Sequence, residues 1–173
     1  MNLPLLYWAA QENESPAWKQ IAIEHTEMAL RYILRPDGSS NHMVDFDPET
    51  GEYKDNPGGQ GYESGSSWSR GQSWAIYGMA LAYRYTKNQA YLDAAKRSAH
   101  YFMANVSLND YIPLLDFRAP KEPVYIDTTA GACAACGLLE LSEHVGEYEK
   151  PLYVQSALRC LKAVQAFCEW DPD

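Results

Sequence analysis

Residues 69–106 read SRGQSWAIYGMALAYRYTKNQAYLDAAKRSAHYFMANV, and this stretch predicts two helices joined by a short turn. Ser69 is followed three residues later by Gln72, which matches a capping box and places the start of the first helix at Ser69. The turn spans residues 86–88, and a second amphipathic segment follows Asn88. Helices joined by so short a connection are expected to lie antiparallel and side by side.

Small residues recur at helical spacing along one face of the first helix. They are Gly71, Ala75, Gly78 and Ala82. Because such a stripe lets a second backbone approach closely, we expect a neighbouring helix to pack on it.

A helix, a short turn, a second helix and a long loop recur along the chain. The other predicted helices run from Ser15 and Pro16 to Leu34, from Asp127 or Thr128 through a Gly- and Ala-rich segment, and from about Pro151 to Cys168. Turn residues between positions 45 and 58 predict a hairpin or an irregular excursion in the first long loop. The repeat predicts an all-α fold, an α/α toroid or α-solenoid, forming one domain over residues 1–173.

The charge balance excludes several classes of partner. The chain has 14 Lys and Arg against 23 Asp and Glu, a net charge of -9, which disfavours nucleic acid and anionic membranes. No apolar run approaches the roughly 20 residues that span a bilayer, and the first residues lack the basic region and cleavage site of a secretory signal. We therefore expect a cytoplasmic protein, with a periplasmic location as the alternative.

The cysteines give no indication of a metal site. They are Cys133, Cys136, Cys160 and Cys168. The first two form a CxxC pair, but no histidine or second pair follows at zinc-like spacing. We interpret all four as packing residues in a reducing compartment, and we expect neither a metal nor an organic cofactor.

The segment Gln60–Trp74, QGYESGSSWSRGQSW, gathers aromatic and hydrogen-bonding groups at a helix start. Arg70 and Trp74 are four residues apart and share one helix face, while Gln60 and Trp68 approach from the loop. A helix N-terminus and an arginine favour an anion, and an indole stacks on the C–H face of a sugar ring. A carboxylated sugar would satisfy all of these groups.

A structural interpretation of the same residues stays open. Arg70 could instead pair with a buried aspartate, Asp116 or Asp127, with the tryptophans in the core. His42 precedes VDFD and could be a general acid or base, although a lone histidine more often has a hydrogen-bonding role. Asp45 and Asp47 could form a carboxylate pair on a strand, although the PETG sequence after them favours a turn cap.

Several motifs together resemble those of a known enzyme family. They are MNLPLLYWA at the start, H-x-x-x-F at His42–Phe46, QGY at Gln60–Tyr62, SSWSRGQSWAIYG at Ser66–Gly78, LLDFRAP at Leu114–Pro120, and DTTAG from Asp127. On these motifs nearly the whole chain resembles the unsaturated glucuronyl hydrolases, glycoside hydrolase family 88. The WxRGQxWxxYG block favours this family over the related unsaturated rhamnogalacturonyl hydrolases.

The resemblance implies an (α/α)6 barrel, a toroid of six helical hairpins, that removes a Δ4,5-unsaturated uronic acid from the non-reducing end of lyase-generated oligosaccharides. A carboxylic acid protonates the C4=C5 double bond and water adds at C5, so the product hemiketal opens and releases the remaining sugar. By motif position, the uronate subsite would be lined by His42, Gln60, Trp68, Arg70 and Trp74. Arg70 and Gln60 would hold polar groups, and the two tryptophans would stack on the sugar.

The chain departs from the family pattern in its length. Family members are about twice as long, and the resemblance places their acid/base aspartate upstream of Met1 and a second important aspartate farther upstream. We therefore expect a fragment lacking the N-terminal half, one that either pairs with another chain, for example by self-association through exposed half-barrel faces, or belongs to a longer protein. Two other hypotheses remain, a catalytically silent carbohydrate-binding fragment and a helical scaffold for a protein partner. The sequence leaves the glycan and its sulfation open.

Overall fold

The computed structural model describes residues 2–168 and is mainly helical. The helices are α1 Leu3–Glu12, α2 Pro16–Met28, α3 Ser69–Thr86, α4 Gln89–Val106, α5 Thr128–Ser142 and α6 Lys150–Phe167. A π-helical turn, Ala29–Ile33, extends α2, and a 3₁₀ turn, Ser107–Asn109, follows α4. Strands β1 (Asp45–Phe46) and β2 (Tyr53–Asp55) pair antiparallel in the first long loop, so the predicted hairpin is confirmed.

Helices α3 and α5 are parallel neighbours, which brings the two long loops to one end of the fold. Arg70 in the first turn of α3 pairs with Asp127, the N-cap of α5. At the other end of both helices, Arg84 pairs with Glu140. Helix α4 returns beside α3 after the short turn at Lys87, as the sequence predicts. The functional candidates therefore lie where α3 and α5 begin.

Alanine-rich packing holds the helices together. The main core cluster joins Ile76 and Met79 of α3 to the buried face of α5 and to Phe102 of α4 and Tyr153 of α6. A second cluster places Tyr7 of α1 against Ala22, Ala82 and Tyr91. Because α5 buries mostly alanine, glycine and leucine, its backbone lies close to α3.

Local capping signals located the starts of three of the six described helices, α2, α4 and α5. Ser15 accepts a hydrogen bond from Trp18 N, and Asn88 accepts one from Ala90 N. Asp127 caps α5 by accepting from Ala130 N. Helix α1, by contrast, carries no side-chain cap and was not predicted.

The capping box predicted at Ser69 and Gln72 is wrong. Ser69 is the first helical residue, and its hydroxyl donates to Leu115 O. The Gln72 amide donates to Gly38 O and Ser98 O instead of returning to the helix start. Gln72 is fully buried, so its side-chain amide needs acceptors inside the fold, and these two carbonyls supply them.

The predicted close approach of a neighbouring backbone is wrong at the two glycines of the small-residue stripe. A methyl group added at Gly78 would have no heavy atom within 4 Å, and one at Gly71 would meet the Trp68 ring. The tight contact between helices lies at Gly137 of α5, where an added methyl would lie 2.9 Å from Tyr77 N. At Gly78 the stripe borders open space, whereas Ala82 at its far end is fully buried against Tyr7 of α1 and Ala22 of α2. The small residue at the tight contact with α3 is supplied by α5.

The cysteines differ in exposure. Cys160 is fully buried in the core, as predicted, but Cys136 is exposed on α5, which corrects the interpretation of all four as packing residues. Within residues 2–168, no helix is long and apolar enough to cross a membrane, and no group of three or more histidine, cysteine or acidic side chains is placed to hold a metal ion.

Candidate functional site

Asp116 organises the loop that leads into α3. It is 3% exposed, and its carboxylate accepts from Tyr62 N at 3.1 Å, Ser66 Oγ at 2.6 Å, Ser67 N at 2.9 Å and Arg118 N at 2.9 Å. Trp68 also forms an isolated backbone bridge with Asp116. The carboxylate thus fixes the backbone on both sides of residues 63–65, and its bonds commit it to a structural role.

Arg35 joins the loop that carries His42 to the loop that carries Trp68. Its guanidinium donates to Ser39 Oγ, Ser40 O and Asn41 Oδ1 on one side and to Gly65 O and Ser66 O on the other. Burial and the neighbouring Arg118 lower the pKa of Arg35. Arg35 was not predicted to be part of the site. Its five hydrogen bonds go to backbone carbonyls and small polar side chains of two loops, and such partners produce no recognisable spacing in the sequence.

Three aromatic rings meet at the start of α3. The ring centroids of His42 and Trp68 are 4.2 Å apart, and those of Trp68 and Trp74 are 5.1 Å apart in an edge-on arrangement. Trp68 is only 2% exposed, which corrects the expectation that both tryptophans offer a face to a sugar. Its ring supports His42 and Arg70, and Trp74, which is partly exposed, is the tryptophan that borders open space.

A glycine turn supports His42 from the other side. His42 Nδ1 lies 2.9 Å from Gln60 N and 3.1 Å from Gly58 O, and one tautomer accepts from the former while the other donates to the latter. Gly59 has φ +60°, and a methyl group there would lie 2.0 Å from Nδ1. Gln60 therefore meets the cluster through its backbone, while the residue as a whole is exposed.

Arg70 is fixed by a buried carboxylate. Its Nε and Nη2 each lie 3.0 Å from Asp127 Oδ2, and its Cζ is 5.4 Å from the centre of the Trp68 ring. The Asp127 side chain is 1% exposed, whereas that of Arg70 is 33% exposed. The ion-pair alternative from the sequence is correct for Asp127, yet the arginine keeps an open side.

A cavity of about 190 Å³ lies beside this cluster, between α3 and the α2 helix with its π-turn. Its polar lining consists of His25, Asn41 and His42, and the rest is mainly apolar, with Trp74 and Gly78 among it. No carboxylate lines it within residues 2–168. His25 was not among the predicted site residues. It and Ala29 are four residues apart and share the cavity-facing side of α2 and its π-turn.

Four of the five predicted site residues form one contiguous group, His42, Trp68, Arg70 and Trp74, and Gln60 joins through its backbone. The two acidic residues of the hairpin lie outside it. Asp47 accepts from Glu49 N and Thr50 N, so it caps the turn, and Asp45 is exposed on β1.

Comparison with known proteins gives consistent relatives, although no protein-family model matches the chain. It is 39% identical over 168 residues to the unsaturated glucuronyl hydrolase of Bacillus sp. (strain GL1), covering 95% of this chain and 44% of that protein. It is 33% identical over 168 residues to the unsaturated chondroitin disaccharide hydrolase of Streptococcus pneumoniae, covering 95% of this chain and 42% of the relative.

Solved structures agree. The crystal structure of the Bacillus enzyme, described as responsible for the degradation of glycosaminoglycan, matches with a TM-score of 0.92 over 99% of this chain and 46% of the other. A variant of the unsaturated glucuronyl hydrolase of Streptococcus agalactiae, complexed with dGlcA-GalNAc6S, matches with a TM-score of 0.84 at 30% identity, over 98% of this chain and 46% of the other.

The chain thus spans less than half the length of the relatives it matches. Within that span the agreement covers nearly all of its sequence, including the six helices that the structure describes in residues 2–168. The chain belongs to the unsaturated glucuronyl hydrolase family, and its helices form part of an (α/α)6 barrel.

Proposed function

We propose that this chain supplies the uronate-binding part of a glycoside hydrolase that removes a Δ4,5-unsaturated uronic acid from the non-reducing end of lyase-generated oligosaccharides. The relatives named above support the reaction class, and the Streptococcus agalactiae complex with dGlcA-GalNAc6S supports an unsaturated disaccharide as substrate. The site itself supports the binding role.

One observation carries the proposal. A guanidinium that is one-third exposed lies over a buried indole, and a second, partly exposed indole meets that ring edge-on. Arg70 attracts the carboxylate of the sugar, and Trp74 offers an aromatic face to the flat, unsaturated ring. His42 and Gln60 stand at the rim with polar groups for the hydroxyls, and Trp68 supports the arginine from below.

The reaction needs a group that gives a proton to the C4=C5 double bond, with water then adding at C5. The two buried aspartates near the site are already committed, Asp116 to four donors and Asp127 to Arg70 and the start of α5. In our proposal Asp116 and Asp127 therefore do not deliver the proton. The site residues of this chain bind and orient the substrate.

The lack of an uncommitted carboxylic acid at the site, within residues 2–168, also favours a second candidate, a catalytically silent carbohydrate-binding fragment. Within the described part of the chain the cavity lining offers two imidazoles and no carboxylic acid. Such a fragment would bind the same unsaturated sugar and leave it intact.

Unsaturated chondroitin disaccharide tests both candidates. We expect calorimetry to show binding to the unaltered chain and about a tenfold loss or more in Arg70→Ala, because a charge-assisted contact is removed. Arg97→Ala is the matched control, since Arg97 is an exposed arginine on α4. Equal affinity in the Arg70 variant and the unaltered chain would refute the proposed site.

Turnover separates the two candidates. The ultraviolet absorbance of the conjugated double bond disappears when the sugar is hydrated, so its loss reports the enzyme reaction directly. Binding without loss of absorbance, in the longest natural protein that contains this chain, would favour the silent fragment.

A further inference from the structure

We infer that Asp127 is a positioning residue that turns one edge of the Arg70 guanidinium toward the substrate carboxylate. The inference rests on the proposed function, because it assigns a role within the proposed uronate site. It concerns the direction in which Arg70 offers its hydrogen bonds, which the family resemblance leaves open.

The contacts divide the guanidinium into two edges. Asp127 Oδ2 lies 3.0 Å from both Nε and Nη2, and Oδ1 lies 3.4 Å from Nε, so the carboxylate occupies the side edge of the fork. The remaining donors are the two hydrogens of Nη1 and the second hydrogen of Nη2. One Nη1 hydrogen and the second Nη2 hydrogen point together along the far end of the side chain, so a ligand carboxylate that accepts two parallel hydrogen bonds binds end-on, across Nη1 and Nη2.

Burial makes Asp127 suited to this task. Its side chain is 1% exposed, and Oδ1 also accepts from Ala130 N, so the start of α5 fixes the carboxylate in place. The Trp68 ring lies against one face of the guanidinium and limits its movement perpendicular to the guanidinium plane. An arginine held on two sides loses little conformational freedom when a ligand binds its open edge.

Asp116 cannot take this role, although it is equally buried and lies in the adjoining loop. Its four donors are the backbone amides of Tyr62, Ser67 and Arg118 and the Ser66 hydroxyl, and Arg70 is not among them. The positioning contact is therefore specific to the start of α5.

The test is the chain's preference for a carboxylate over its ester. Calorimetry with unsaturated chondroitin disaccharide and with its uronate methyl ester gives an affinity ratio for the unaltered chain, for Arg70→Ala, and for Asp127→Ser and Asp127→Asn. Serine and asparagine still accept a hydrogen bond at a helix N-cap, so α5 keeps its start while Arg70 loses its anionic partner. Asn88→Ala is the control, because it removes the cap of α4 and lowers stability without touching the site.

We expect the acid-to-ester ratio to fall about tenfold in both Asp127 variants, toward the value of Arg70→Ala, and to stay unchanged in Asn88→Ala. Unaltered ratios in Asp127 variants that remain folded by circular dichroism would show that Asp127 only stabilises the helix, and would overturn the inference. An unaltered chain that binds neither probe would overturn the proposed function itself, and this inference with it.

Discussion

His42 is wedged between Trp68 and Gly59. Its ring centroid lies 4.2 Å from that of the indole, and its Nδ1 faces the backbone of the glycine turn. Gly59 has φ +60°, and a methyl group on it would lie only 2.0 Å from Nδ1. The position of the imidazole in the site therefore depends on a residue with no side chain.

Gly59→Ala should displace His42 and weaken binding of the unsaturated disaccharide. The left-handed backbone costs a non-glycine residue about 1–2 kcal/mol of folding stability, and the clash adds to this. Gly51→Ala is the matched control, since Gly51 has φ +71° but no heavy atom within 4 Å of an added methyl.

We expect both variants to lose stability from backbone strain, Gly59→Ala more than Gly51→Ala because of the clash, while only Gly59→Ala loses ligand affinity. Thermal unfolding and calorimetry measure the two effects separately. Equal affinities for the disaccharide in both variants would mean that the position of His42 does not matter for binding.

Asp116→Ala should destabilise the whole loop before α3. Removal of the carboxylate leaves a hydroxyl and three backbone amides without their acceptor in a buried place. The expected loss in the free energy of unfolding is about 2–4 kcal/mol. Denaturant titration measures it, with Asp45→Ala in the exposed strand β1 as a control expected to stay within about 0.5 kcal/mol. A small effect at Asp116 would show that water replaces the carboxylate.

The starts of α2, α4 and α5 could be predicted because a cap is a local interaction. Ser15, Asn88 and Asp127 each bond a backbone amide two or three residues away, so adjacent sequence is sufficient. The same logic failed at Gln72, whose amide instead meets carbonyls 34 and 26 residues away. A long-range contact overrode the local signal, because the Gln72 side chain is fully buried and its amide donates to carbonyls of other segments.

The residues of the candidate site show the same difference between local contacts, which the sequence predicts, and long-range contacts, which it does not. Arg70 and Trp74 were predicted together because helical spacing joins them, Gln60 and Trp68 because they lie in the segment just before the helix, and the family resemblance added His42 to the uronate subsite. Arg35 could not be found, because its role comes from two loops that meet only in the folded chain. The burial of Trp68 was also out of reach, since the sequence cannot distinguish a supporting indole from a stacking one.

The cysteines should react with iodoacetamide in a fixed order. Cys136 is exposed on α5, whereas Cys160 is fully buried, which raises the pKa of its thiol to about 12. A thiol with so high a pKa has almost no thiolate at neutral pH. We expect peptide mass spectrometry to show Cys136 labelled in the folded chain and Cys160 only after unfolding. Equal labelling rates in the folded chain would contradict the packing of α6 against α5.

Two helical glycines should respond in opposite directions to the same substitution. At Gly137 an added methyl would lie 2.9 Å from Tyr77 N and 3.0 Å from Ile76 Cγ2, both in α3. Overpacking of this kind costs about 1–3 kcal/mol, more than the gain in helix propensity. We therefore expect Gly137→Ala to lower the melting temperature.

At Gly78 the added methyl meets nothing within 4 Å and enters the cavity beside Trp74. Gly78→Ala should therefore stabilise the fold by about 0.5–1 kcal/mol, because alanine is the better helix former. Thermal unfolding of the two variants tests where α3 is tightly packed. If Gly78→Ala were the destabilising change and Gly137→Ala the neutral one, the close neighbour of α3 would lie on the stripe of small residues, and the packing of α5 described above would be wrong.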